Sequence, residues 1–312
     1  MIYFCKTHKI CIVLLFMIIV MITPVSASLQ ITGTVKYMEN LAPGTTITFP
    51  IHLSIGSNDP TGDYSITAFG FGNDKNGNYV TIKPESDTGA QTARPYITVD
   101  KPVVSMKPGV QETVTVTVVV PASATGGLYA LINIQPSQGK GMVRTATNVP
   151  VMITLTGTPI TETGIINSLI IDNTVSPALV TTTFTNTGNH HYYGAQNKIV
   201  ITNAAGGEIG TFATKPLVTT IVPGGTVNFT QTINIPLTSD IYTVKSTVVT
   251  DAGRDLDVKI NQFTATGNNK GIQTNNPLVT TTPLSGWNLA LLLVVMGVVG
   301  IIIGIILLRR SG

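Results

Sequence analysis

A pattern that occurs twice constrains this chain more than any other feature. Pro108-Gly109 leads into an alternating run that ends at Pro121, a polar loop follows, and Gly127-Leu128-Tyr129 opens the next run, Ala130 to Ile134. Pro223-Gly224 leads in the same way to Pro236, then a shorter loop, then Asp240-Ile241-Tyr242 opening Thr243 to Val249. The paired prolines stand 13 positions apart in both copies, and each copy closes on one more run, Val149 to Leu155 and Asp257 to Thr264. Two homologous domains in tandem is the economical reading.

The periods inside each copy are those of strands. Thr113 to Val118 puts threonine on one face and valine on the other, one solvated and one core. Thr226 to Ile235 does nearly the same, with Val227, Phe229, Ile233 and Ile235 inward and Gln231 the one polar residue on that side. Thr, Val, Ile, Gly and Asn dominate at the expense of Leu, Glu and Lys, a strand composition. Pro-Gly makes a turn before the strand, and the terminal proline cannot donate to a ladder and so ends pairing. Tyr129 and Tyr242 resemble tyrosine corners, which fasten the loop between two sheets. The expected fold is all-β: two tandem immunoglobulin-like β-sandwiches, residues 28–157 and 158–267.

The two ends are not globular. Lys6, His8 and Lys9 precede an apolar run of about 13 residues, and Val25 and Ala27 occupy the small-residue positions of a signal-peptidase site, so residues 1–27 read as a secretory signal. Residues 268–286 lack any apolar period and read as a flexible stalk. Residues 287–308 carry no charge and are long enough to cross the hydrocarbon core as a helix. Trp287 sits where an interfacial anchor belongs, and Arg309 and Arg310 open a short tail, 309–312, that the positive-inside rule keeps in the cytoplasm. The expected localisation is the plasma membrane, single-pass, with the body outside. Gly297, Gly300 and Gly304 share one side of that helix and have the small-residue spacing of a homodimer groove. Pro283-Leu284-Ser285-Gly286 before the span has the layout of a sortase-type sorting signal, though it departs from Leu-Pro-x-Thr-Gly.

Several function classes drop out. Both cysteines, Cys5 and Cys11, fall in the signal, which excludes thiol catalysis and cysteine-ligated metal in the mature chain. Removing Lys6, Lys9, Arg309 and Arg310 from 18 bases leaves 14 against 15 acids, so no basic stripe invites nucleic acid. No nucleophile elbow or paired acids appear, and the chain is expected to be non-enzymatic, without cofactor.

Four candidate sites each face a plainer reading. Asp74, Asn76, Asn78 and Glu85 fall on calcium-loop spacing, but Tyr79 replaces the required glycine and Asn76-Gly77 is a common hairpin turn. His190 and His191 are adjacent, which sends them to opposite faces of an extended segment and leaves a metal too few ligands. Asp251, Arg254, Asp255 and Asp257 read as a turn with local ion pairs. Asn228-Phe229-Thr230 is a glycosylation sequon with its asparagine on the outward face of a strand.

The phrases Leu41-Ala42-Pro43-Gly44, Met106-Lys107-Pro108-Gly109 with Pro121, Gly127-Leu128-Tyr129-Ala130, and Asn186-Thr187-Gly188-Asn189-His190 with Gly206-Gly207 resemble two-domain surface proteins of the WxL-interacting type. They are also similar to archaeal membrane-anchored proteins built from such modules. The resemblance implies a non-enzymatic role at the cell surface in wall association or adhesion, with a protein or surface glycan as partner. The alternative is an accessory binding subunit that recruits or supports a membrane-associated enzyme.

Overall fold

The computed structural model describes residues 29–32, 36–137, 146–175 and 177–265. The readings of 1–27, of the stalk and of the span with Trp287, Gly297, Gly300, Gly304, Arg309 and Arg310 lie outside the described residues. Among the described residues no helix is long and apolar enough to cross a membrane.

The first sandwich contains β1 (Gln30–Thr32), β2 (Lys36–Leu41), β3 (Thr46–Ser54), β4 (Gly62–Asn73), β5 (Tyr79–Ile82), β6 (Ile97–Val99), β7 (Val103–Met106), β8 (Glu112–Val119), β9 (Gly127–Pro136) and β10 (Thr147–Leu155). One sheet runs β1-β3-β8-β6, and the other β2-β10-β9-β4-β5 with β7 beside β4. The chain changes sheets at once: β1 pairs antiparallel with β3, whereas β2 pairs parallel with β10. Val114, Val116 and Val118 are fully buried against Ile51 and Leu53 and the opposite sheet, as the alternation predicts.

The second sandwich contains β11 (Gly164–Asp172), β12 (Ala178–Asn186), β13 (Gln196–Asn203), β14 (Glu208–Ala213), β15 (Thr226–Ile233), β16 (Asp240–Val249) and β17 (Asp255–Ala265). Its sheets are β11-β12-β15 and β14-β13-β16-β17, an immunoglobulin-like order in which the fourth strand pairs with the third. Both sheets would leave an open edge at β11 and β17. Side chains close that seam: the Ile166 N–H donates to Asp257, the Lys259 ammonium to the carbonyls of Ile166 and Asn167, and the Asn261 amide to the Leu169 carbonyl. Positions 257, 259 and 261 point the same way because side chains alternate along a strand.

Strand β9 departs from the alternation that holds elsewhere. Its residues Gly127 to Ile134 are buried on both faces. Leu128, Ala130, Ile132 and Ile134 enter the core of the first sandwich, while Tyr129 and Leu131 face away from it and join Phe71, Met152 and Val222 in a separate buried cluster. Val222 belongs to the second sandwich. The outer face of this sheet is dry because the second domain covers it.

Candidate functional site

Around that cluster the two sandwiches are fastened by polar groups from both sides. The Tyr129 hydroxyl lies 2.9 Å from His191 Nδ1 and accepts the His191 backbone N–H at 3.1 Å. Asn73, the last residue of β4, donates to the Thr220 carbonyl at 2.9 Å and accepts the Val222 N–H at 3.0 Å. The Tyr79 hydroxyl donates to Thr220 Oγ1 at 3.1 Å and accepts the Thr220 N–H at 3.0 Å. Main chain meets main chain where the Gly127 N–H donates to Asn189 and the Asn228 N–H to Lys75, both at 2.8 Å. Gly225 is needed for this approach, since a Cβ there would sit 2.3 Å from Asn73 Oδ1. With each large apolar side chain contributing about 1.5–3 kcal/mol on burial, five of them sealed by satisfied hydrogen bonds form a small core instead of a hinge.

The electrostatics of this elbow follow from its dryness. Burial pushes the Tyr129 phenol up and Tyr192 up to about 12. Burial, and then the neighbouring His190, hold His191 down to about 3. His190 is also lowered by burial, which outweighs the opposing pull of Glu162 and Glu39. Both imidazoles are therefore neutral near pH 7.

Beside the elbow lies a cleft of about 490 Å³, bounded on the first sandwich by Val80, Ile82 and Asp87 and on the second by Asn186 and Pro223. Asp87 is buried and its Oδ2 accepts from Thr92 Oγ1 at 2.5 Å and from Arg94 Nε at 2.8 Å. Gly70 makes room for it, because a Cβ at that position would lie 2.4 Å from the carboxyl carbon. The Asn186 amide donates to the carbonyls of His190 and Ile221, and its Oδ1 accepts the Gly188 N–H. The polar side chains of the cleft thus hold its walls in place.

The sequence candidates land in different places. Tyr242 ties a loop, accepting the Thr238 N–H at 3.1 Å within its own domain. Tyr129 does not: its hydroxyl reaches across to the other domain, which corrects the corner reading. The two histidines do not point to opposite faces, for Gly188 to His190 form a bend and the rings stack at 4.2 Å and 28°. Asp74 caps its own hairpin: Oδ1 accepts the N–H groups of Asn76 and Asn78, Oδ2 accepts the Asn78 amide, and Gly77 takes φ +83°. Those bonds, the Asn78 side chain first, hold its carboxyl below the usual range. Arg254 pairs with Glu162, distant in sequence, and not within its own cluster. Asn228 is half-buried and accepts from Thr183 Oγ1 at 2.9 Å.

Asn73, Phe71 and Val222 carry no signal in the sequence, and Tyr79 stood out only at the calcium-loop position. Nothing in their local spacing separates an interface residue from a core residue. The one usable signal was Tyr79 standing where a calcium loop needs glycine.

No model of a known protein family matches the sequence, and no curated protein does. Solved structures similar to this chain include a chaperone–tip adhesin complex of CFA/I fimbriae, 11% identical, covering 76% of this chain and 98% of that one with a TM-score of 0.38. The class 5 fimbriae chaperone CfaA is 12% identical over 75% of this chain and 98% of its own, with a TM-score of 0.36. A chaperone–tip adhesion subunit complex of archaic Csu pili from Acinetobacter baumannii is 13% identical, with 65% and 90% covered and a TM-score of 0.31.

Proposed function

We propose that this chain is a non-enzymatic surface protein, exported by its N-terminal signal and anchored by residues 287–308, that offers a protein partner the cleft between two sandwiches locked at one angle. The observation that carries the reading is the buried elbow. Modules strung together only as spacers have no need of Asn73, Tyr79 and Tyr129 inserted into a neighbour's backbone, whereas a cleft shared by two domains keeps its shape only if they cannot rotate. Rigid walls lower the ordering cost of binding, and side chains engaged in the walls suit recognition better than chemistry.

Gly89 at the cleft provides the test, because a Cβ built there meets nothing within 4 Å. Full-length wild type and Gly89→Trp, purified from detergent-solubilised membranes, are compared for stoichiometric protein partners. A partner retained by wild type and lost from the variant supports the cleft. The absence of any stoichiometric partner, or equal retention by both, overturns it.

A further inference from the structure

The stacked histidine pair has a geometry that a packing role alone does not require. His191 is 6% exposed, stacks on His190, and meets the rings of Tyr129 and Tyr193 edge-on at 5.6 and 4.6 Å. The Tyr129 oxygen accepts the His191 backbone N–H and lies 2.9 Å from Nδ1, so in the neutral tautomer with Nδ1 unprotonated the hydroxyl donates to that nitrogen. His190 has Nε2 3.5 Å from Thr154 Oγ1 of the first sandwich, and its Nδ1 is buried with no hydrogen-bond partner among the described residues.

We propose that His190 and His191 form an acid-sensitive latch that holds the two sandwiches together near neutral pH and releases them on acidification. A proton on His191 Nδ1 would displace the Tyr129 hydroxyl hydrogen from that bond and would place a cation against a second imidazole in a dry interface. A proton on His190 Nδ1 would enter a buried site that has no hydrogen-bond partner among the described residues in the docked state, and the favourable pull of the His191 backbone is outweighed by burial.

The surrounding groups do not supply a rescuing charge for His191. From the first sandwich the pair meets Tyr129 on β9 and feels Glu39 on β2; from the second it meets Tyr193, itself packed on Tyr37 of β2, and feels Glu162, which interacts with Tyr192 and pairs with Arg254. Glu39 and Glu162 act on His190 and are outweighed by burial. Undocked, both rings regain water and titrate near the ordinary value of about 6.5, so the open state binds protons that the docked state refuses. The open fraction then rises about tenfold per pH unit below that value through His191, and His190 acts in the same direction. Because Tyr129 also lines the cleft, release would reshape it.

Hydrogen exchange on the full-length chain in detergent tests the latch. The amides of His191, Thr220 and Val222 report docking, and those of β8 and β13 report the two sandwich interiors. Between pH 7 and 5, after correction for intrinsic rates, the docking amides should lose at least tenfold more protection than the interior ones. The double variant His190→Asn/His191→Asn, which keeps an acceptor near the Nδ1 position but does not titrate, should lose that excess. Docking protection independent of pH, loss in step with the interiors, or an excess that survives in the double variant would each overturn the proposal.

Discussion

The hydroxyl of Tyr129 and Nδ1 of His191 meet 2.9 Å apart across the boundary between two sandwiches, 62 positions apart in sequence. That contact explains why the repeated tyrosine has two fates. Tyr242 also stands near the start of its strand, but it faces into the core of its own sandwich and its hydroxyl bonds back onto Thr238, whereas Tyr129 faces out of its sandwich towards the second domain.

Tyr129→Phe should therefore be the more damaging of two equivalent substitutions. It strands the His191 N–H and Nδ1 in a dry interface, a loss of about 1–3 kcal/mol, against about 1 kcal/mol for Tyr242→Phe near a loop. Calorimetry of the full-length protein should show one cooperative transition for wild type and Tyr242→Phe, and a broadened or split one for Tyr129→Phe. Equal losses and unchanged cooperativity would mean that the elbow does not couple the domains.

Global stability should carry the signature of His191. Its folded value of about 3 lies below the unfolded value of about 6.5, so the unfolded chain binds the extra proton. The contribution is whole above about pH 6.5, declines as pH falls, and is lost by about pH 3; by pH 5 about 2 kcal/mol has gone. Carboxylates also titrate over this range, so the quantity to measure is wild type minus the double asparagine variant, by urea midpoint from pH 7 to 4. A difference that stays constant would refute the assignment.

Much of the architecture was legible because its cause is local. Val114, Val116 and Val118 alternate with threonine, and a strand with one wet face permits little else. The tandem organisation showed in the Pro-Gly and proline spacing, since turns and ladder ends depend on a few residues. The elbow was not legible, for β9 reads as an ordinary strand until Val222, far along the chain, is known to lie on its outer face. The histidine pair misled for a related reason: period two holds only in extended backbone, and Gly188 to His190 bend.

Arg94→Ala should weaken the first sandwich by about 2–3 kcal/mol, because it leaves the buried Asp87 carboxylate with only Thr92 as donor. Lys101→Ala, which removes a solvent-exposed pairing with Glu112 at 4.0 Å, should cost below about 1 kcal/mol. Urea titration of both variants checks the ranking. If the two losses match, the ion pair at the cleft wall is not a structural support.

The last expectation concerns a polar ring in the second core. Thr182, Asn197 and Ser246 are each fully buried, and they bond in a cycle: the Asn197 amide to Thr182 Oγ1 at 2.9 Å, Ser246 Oγ to Asn197 Oδ1 at 2.8 Å, with the two hydroxyls 3.0 Å apart. Thr182 lies on β12 in one sheet, and Asn197 and Ser246 on β13 and β16 in the other, so the ring bridges the sandwich between two apolar clusters. Ser246→Ala leaves Asn197 Oδ1 without a donor and should cost about 1–3 kcal/mol. Thr182→Val/Asn197→Leu/Ser246→Ala removes every partner together and should cost less than the three single losses combined, because nothing polar is left stranded. Urea midpoints of the singles and the triple decide it. Additive losses would mean that the three side chains act independently and that the ring does not exist as a unit.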